Sequence, residues 1–303
     1  MALQPHELEE GQFLLFRAPT IGSLTEMTSY YGELRGFTID EAVCLNELIA
    51  GLDGSGFVHA AIVSSVDGAG EVEIVEQSMP HIKARPLNER CVPYGGQPAL
   101  VLQLRDPNKR AGAAAAAAER ALDGADAPYG SEAMVYQALV LRLRAMVEGD
   151  EGRAEEVLEA LAALVAEDLG DTCGSLAAEV LAAVGCETTK PATRQHVVFE
   201  PRDACDGPTE QAFIKLGAAA QLTPEQAVEL ATFVRGDGGL EQLLEPLNDL
   251  LADLATNPIL QKLIDRLYAI AKLAAAGLTS LWTPQDLLLS GDLEVVGELE
   301  GWC

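Results

Sequence analysis

Cys173, His59 and Glu76 are three residues whose types could together activate a thiol. Cys173 opens "CGSLAAEVLAAVG", a segment with helical spacing that Asp171 or Thr172 is placed to cap. A cysteine at a helix start gains from the positive end of the helix dipole, which stabilises a thiolate. His59 lies in the apolar run "GFVHAAIVSS" and is one of only four histidines in the chain. Glu76 follows seventeen residues later, near the end of "EVEIVEQ". A histidine can take the thiol proton, and a carboxylate can orient the imidazole and stabilise the imidazolium. His81, in "MPHIKAR", is the rival base, but its polar surroundings read as an exposed loop or edge. Spacing alone also allows three ordinary roles: a satisfied core histidine, a solvated strand-end glutamate and a small buried cysteine.

These residues need a strand, a neighbouring strand and a helix to hold them. The first two-fifths of the chain is β-rich. Apolar or alternating runs predict strands at Gln12 to Arg17, Phe57 to Ser65, Glu71 to Gln77, Ile82 to Pro86 and Ala99 to Arg105. "TIDEAVCLNELIAGL" has helical spacing behind a Thr38 or Asp40 cap and reads as a helical insertion. The Ala-rich "RAGAAAAAAERALDG" predicts a helix ending at Gly124. Amphipathic helices are expected near 131 to 148 and 151 to 169, then the Cys173 helix ending at Gly185 and a strand at Gln195 to Glu200. Residues 207 to 281 read as about four helices, broken at Thr223-Pro224, Gly236 to Gly239 and Asn257-Pro258. The tail turns at Thr283-Pro284 and ends as a strand.

Composition narrows the classes. Forty-seven acidic residues against 20 basic ones give 303 residues a net charge of -27. Such a surface repels nucleic acid and anionic membranes and tolerates cationic partners, and solubility is its plainer explanation. No apolar run of about 18 residues predicts a membrane span. The start, "MALQPHELEEGQF", has no basic stretch followed by an apolar run, so a cytoplasmic location is expected. The six cysteines show no CxxC pair and no metal-finger spacing. They are expected to be mostly inert thiols, with neither a disulfide framework nor a zinc site. "GLDGSG" lacks the Lys-Ser/Thr of a phosphate loop and precedes a strand, so no nucleotide cofactor is expected, and no other cofactor is implied.

The order of segments resembles the circularly permuted NlpC/P60, papain-like cysteine hydrolases of the YiiX-like group. Their opening Gly-Asp and apolar strand corresponds to "EEGQFLLFR", and their histidine strand to "GFVHAAIVSS". The strand with a polar residue, often Glu, is "EIVEQS", and the arginine-ended strand is "LVLQLRDP". The "pY" turn is "APYGS", the cysteine helix is "CGSLAAEVLAAVG", and the closing segment is "TPQDLLLSGDL". The match covers residues 8 to 105, 111 to 130, 168 to 200 and 282 to 299. Three positions depart from it. Gln12 and Gly130 stand where Asp is usual, and Gly174 stands where Ser often follows the cysteine.

The resemblance implies an α+β fold: a permuted papain-like domain with a small antiparallel sheet or barrel and large helical insertions. The core is expected over 8–206, with insertions at about 20–54 and 131–169. A helical bundle over 207–281 and a returning C-terminal segment over 282–303 would follow. The insertions would serve as a lid, a substrate wall or a homo-oligomer surface, or simply as packing. The implied activity is an amidase or peptidase working through a Cys173 thioester, with His59 as base and Glu76 as orienting residue. The backbone N–H of Cys173 would hold part of the oxyanion, and Tyr129 would be a wall or donor. The substrate would be a small-molecule, peptide or lipid-like acyl compound. An acyltransferase using the same thioester and an inactive papain-like binding protein are the alternatives.

Overall fold

The structure, a computed structural model, describes residues 1–17, 38–78, 81–90, 97–123, 173–186, 205–219, 223–235 and 282–302. Seven strands are described: β1 (Ala2–Leu3), β2 (Phe13–Arg17), β3 (Phe57–Val66), β4 (Val72–Ser78), β5 (His81–Pro86), β6 (Ala99–Leu104) and β7 (Leu293–Leu299). They form one sheet in the order β1-β7-β6-β2-β3-β4-β5. All neighbours are antiparallel except β1 and β7, which run parallel. The sheet is therefore mixed and open, with β1 and β5 at its edges, where a small antiparallel sheet or barrel was expected.

β2 is the central strand, and its sequence shows why. Four successive apolar residues are buried on both faces: Phe13 and Leu15 in one core, Leu14 and Phe16 in the other. Successive strand side chains point to opposite faces, so a strand covered on both sides is apolar throughout.

Six helices are described: α1 (Ile39–Asp53), α2 (Arg110–Asp123), α3 (Cys173–Ala183), α4 (Asp206–Ala219), α5 (Pro224–Arg235) and α6 (Pro284–Leu289). Helices α2, α3 and α6 pack on the face that carries Phe13, Leu15, Ile62 and Val75. The other face is closed by Leu3, Leu8, Leu87 and Trp302. Helix α1 begins with a capping box. The Thr38 hydroxyl accepts from the Glu41 N–H, and the Glu41 carboxylate accepts from the Thr38 N–H. Helices α4 and α5 pack together, and α4 packs against α1.

Cys44 on α1 and Cys205 at the head of α4 form a disulfide, a pairing not expected from the sequence. The two lie 161 residues apart and meet only because α1 and α4 pack together. The structure also adds β1, whose two residues are too few for an alternation signal. The helices expected at 131–169, the strand at 195–200 and the helices beyond 235 lie outside the described residues.

The surroundings of Gln12 and Gly174 are closely packed. Gly11 has φ +81°, and a Cβ there would lie 2.1 Å from the Arg110 carbonyl oxygen, so α2 can sit against the start of β2 only over a glycine. The adjacent Gln12 is buried, and its Oε1 accepts from the Glu9 N–H at 2.9 Å, closing the turn into β2. At Gly174, a Cβ would lie 1.7 Å from the Trp282 carbonyl oxygen. A serine there would collide with the segment that leads into α6.

Candidate active site

His59 enters the site through an irregularity in the sheet. Phe16 pairs with His59 and Arg17 with Phe57, so Val58 is an extra residue between them. Such a bulge bends the strand and re-aims the neighbouring side chain. His59 stacks near Phe16, with ring centroids 6.0 Å apart, and is 7 % exposed. Its Nε2 lies 2.8 Å from Glu76 Oε2 on β4. Its ring also hydrogen-bonds the Cys173 side chain at the start of α3. The structure thus brings Cys173, His59 and Glu76 together.

Glu76 is fully out of water. Arg90 Nε donates to its Oε2 at 2.6 Å, and Arg90 Nη2 donates to its Oε1. Arg85 Nε lies 2.7 Å from Oε1, and Arg85 Nη1 lies 3.6 Å from Glu89 at the surface. Burial alone would raise the Glu76 pKa. Arg90, His59 and Arg85 outweigh burial and hold it down to about 2, so Glu76 is a carboxylate at neutral pH. A carboxylate only accepts hydrogen bonds, so Nε2 carries the proton in the His59–Glu76 bond. That leaves Nδ1 as the nitrogen that meets the thiol.

The His59 pKa is raised from its ordinary value. Burial acts to lower it, but the interaction with the Cys173 side chain and the bond to Glu76 together act more strongly. The imidazole is therefore built to accept a proton and hold it. A ring fixed by a carboxylate on one nitrogen and facing a thiol on the other can take the thiol proton and later return it.

Cys173 is the first residue of α3 and is 3 % exposed. Its backbone N–H is among the first four of the helix, which have no intrahelical acceptor. Asp171 and Thr172, the candidate caps, and Tyr129 lie outside the described residues. His81 pairs its backbone with Ser78 at the start of edge strand β5, whereas His59, Arg85 and Arg90 hold the Glu76 carboxylate. Cys186, the other described free cysteine, has its pKa raised by burial and Asp292, with Lys109 partly opposing.

Arg85 and Arg90 were not singled out in the sequence. One signal was available for Arg85. In "HIKARP", Ile82 and Ala84 alternate with Lys83 and Arg85. Pairing β4 with β5 places Lys83 opposite Glu76 and Arg85 opposite Ile74, on the Glu76 face. Arg90 lies beyond the strand in a 3-10 turn, Leu87–Arg90, and has no comparable periodic signal.

No family model, curated protein or solved structure matches this chain. Among the described residues, no cluster of three or more His, Cys, Asp or Glu could hold a metal ion. No described helix is long and apolar enough to cross a membrane.

Proposed function

We propose that this protein is a papain-like cysteine hydrolase of the amidase or peptidase type, with Cys173 as nucleophile, His59 as base and Glu76 as orienting residue. The observation that carries the reading is the hydrogen-bonded chain from the Cys173 side chain through the His59 ring to the ionised, buried Glu76. The ordered motifs shared with the permuted NlpC/P60 group add to it.

In this mechanism His59 Nδ1 takes the Cys173 proton, and the sulfur attacks the substrate carbonyl carbon. A carbon–sulfur bond forms and the carbonyl electron pair moves to oxygen. The N–H groups at the start of α3, which have no acceptor within the helix, would hold that negative charge. The oxyanion collapses, the bond to the leaving amine breaks, and the imidazolium donates its proton to that amine. Water then attacks the thioester, His59 takes the water proton, and the thiolate leaves with it. The products are a carboxylic acid and an amine, and the thiol is restored. Glu76 stabilises the imidazolium formed twice in the cycle.

The test is the iodoacetamide alkylation rate of Cys173 against pH, read by mass spectrometry. Cys173 is expected to react faster than Cys186 at neutral pH, and His59→Ala is expected to remove that advantage. Equal Cys173 rates in wild type and His59→Ala would refute the pairing.

A further inference from the structure

Buried polar atoms without partners are costly and rare, so each one calls for a reason. Gln77 is 1 % exposed, and neither its Nε2 nor its Oε1 has a hydrogen-bond partner among the described residues. Trp282 is also 1 % exposed, and its Nε1 is likewise without a described partner.

Both residues lie on the side of the sheet that the Cys173 helix covers. Gln77 follows Glu76 on β4, and successive strand residues point to opposite faces. Its cross-strand partner is Ile82, and Ile82 and Val75 belong to the same core as Cys173. Gln77 is therefore on the helix-covered face, at the end of β4 where Glu76 meets His59. Trp282 belongs to that core too, and its carbonyl lies against Gly174, the residue after Cys173. Two elements distant in sequence thus bring donors without described partners to the core that the nucleophile's helix helps to close.

We infer that Gln77 Nε2 and Trp282 Nε1 are the donors that hold the substrate carbonyl oxygen during attack by Cys173. The inference rests on the hydrolase reading and adds side-chain donors to the backbone N–H groups of α3. An acceptor that arrives with the substrate would account for donors that have no partner among the described residues. The neighbouring Gln77 Oε1 suits a substrate that also carries an N–H, as a peptide or N-acyl amine does.

The experiment compares two reactions of the same thiol. Acylation by p-nitrophenyl acetate passes through a tetrahedral oxyanion, whereas alkylation by iodoacetamide is a displacement at carbon that forms none. The full-length protein is used as wild type, Cys173→Ala, Gln77→Met and Trp282→Phe. Gln77→Met and Trp282→Phe are each expected to slow the acylation burst about 100-fold while leaving alkylation within about twofold. Acylation within about threefold of wild type in both would overturn the donor role. A parallel loss of alkylation would overturn it as well, because the damage would then lie in the thiol. Thermal melting gives an independent check. Removing an unpaired buried amide should leave the midpoint of Gln77→Met unchanged or raised, and a clear fall would mean that the amide has a structural partner. The parent reading fails separately: wild type without a burst, or a burst that persists in Cys173→Ala, sinks the hydrolase and this inference with it.

Discussion

Arg90 lies side-on to Glu76, its Nε donating to Oε2 at 2.6 Å and its Nη2 to Oε1, and both side chains are out of water. Such a two-bond pair fixes the carboxylate plane as well as its charge. Because Oε2 also receives His59 Nε2, Arg90 sets the direction from which the imidazole is held. Arg90→Met should leave the buried carboxylate undercompensated and cost about 3–5 kcal/mol, read as a lower urea midpoint. Glu76→Gln should recover part of that loss in the double variant, because the two residues form one network. Strictly additive losses would show that the pair is not coupled.

The depressed pKa of Glu76 gives a signed prediction for acid stability. The folded value is about 2 against an ordinary 4.5, so the unfolded chain binds the proton more readily. The contribution is fully present above 4.5 and is lost as pH falls through about 2. A shift of this size corresponds to about 3 kcal/mol at neutral pH. Many other carboxylates titrate in this window, so the difference between wild type and Glu76→Gln isolates it. Urea midpoints for the two should converge as pH falls from 5 toward 2.

His59 predicts the opposite slope. Its folded pKa is raised above 6.5, so its contribution is complete below that value and is lost as pH rises through the folded one. In His59→Gln, stability should lose this decline across neutral and mildly alkaline pH. Chemical denaturation at several pH values reads it directly, and identical slopes in both proteins would refute the assignment.

The parts of this arrangement differ in how far the sequence reveals them, for physical reasons. Strands β2 to β6 were legible because buried strands in a two-sided sheet must be apolar or alternate, whereas the α1 cap was open between Thr38 and Asp40 until the structure placed it at Thr38. Cys173, His59 and Glu76 could be proposed because thiol chemistry uses few residue types. Their juxtaposition depends on the β3–β4 register, the bulge at Val58 and the docking of α3, all long-range outcomes. Arg85 and Arg90 in "HIKARPLNER" were not singled out, because Arg85 had only its alternation in β5, Arg90 had no periodic signal, and the cluster is assembled from separate segments. The space limit at Gly174 was invisible for the same reason: it is set by a backbone carbonyl more than a hundred residues away.

That space limit is itself testable. A Cβ on Gly174 would lie 1.7 Å from the Trp282 carbonyl oxygen and 3.0 Å from the Thr283 nitrogen. Backbone atoms cannot swing aside as a long side chain can. Helix α3 would have to move away from the turn that Thr283 and Asp286 lock with a capping box at the start of α6. Gly174→Ala should therefore cost about 1–3 kcal/mol and slow Cys173 alkylation by shifting the thiol from His59. A variant that melts with wild type would contradict the packing.

The disulfide carries the last prediction. Cys44 and Cys205 are both buried, and the bond ties α1, which packs on the histidine strand β3, to α4. Helix α4 in turn pairs Lys215 with Glu41 at 2.6 Å, so a second contact holds the same interface. Closing a loop of this length restricts the unfolded chain, and its loss typically costs about 2–5 kcal/mol. Cys44→Ser should therefore lower the thermal midpoint of the oxidised protein, and dithiothreitol should lower wild type to the same level without affecting the variant further. Intact mass spectrometry under non-reducing conditions should find wild type two hydrogens lighter than its sequence. Wild type and Cys44→Ser that melt alike in the absence of reductant would mean that the Lys215–Glu41 contact and the helix packing hold α1 and α4 together without the bond.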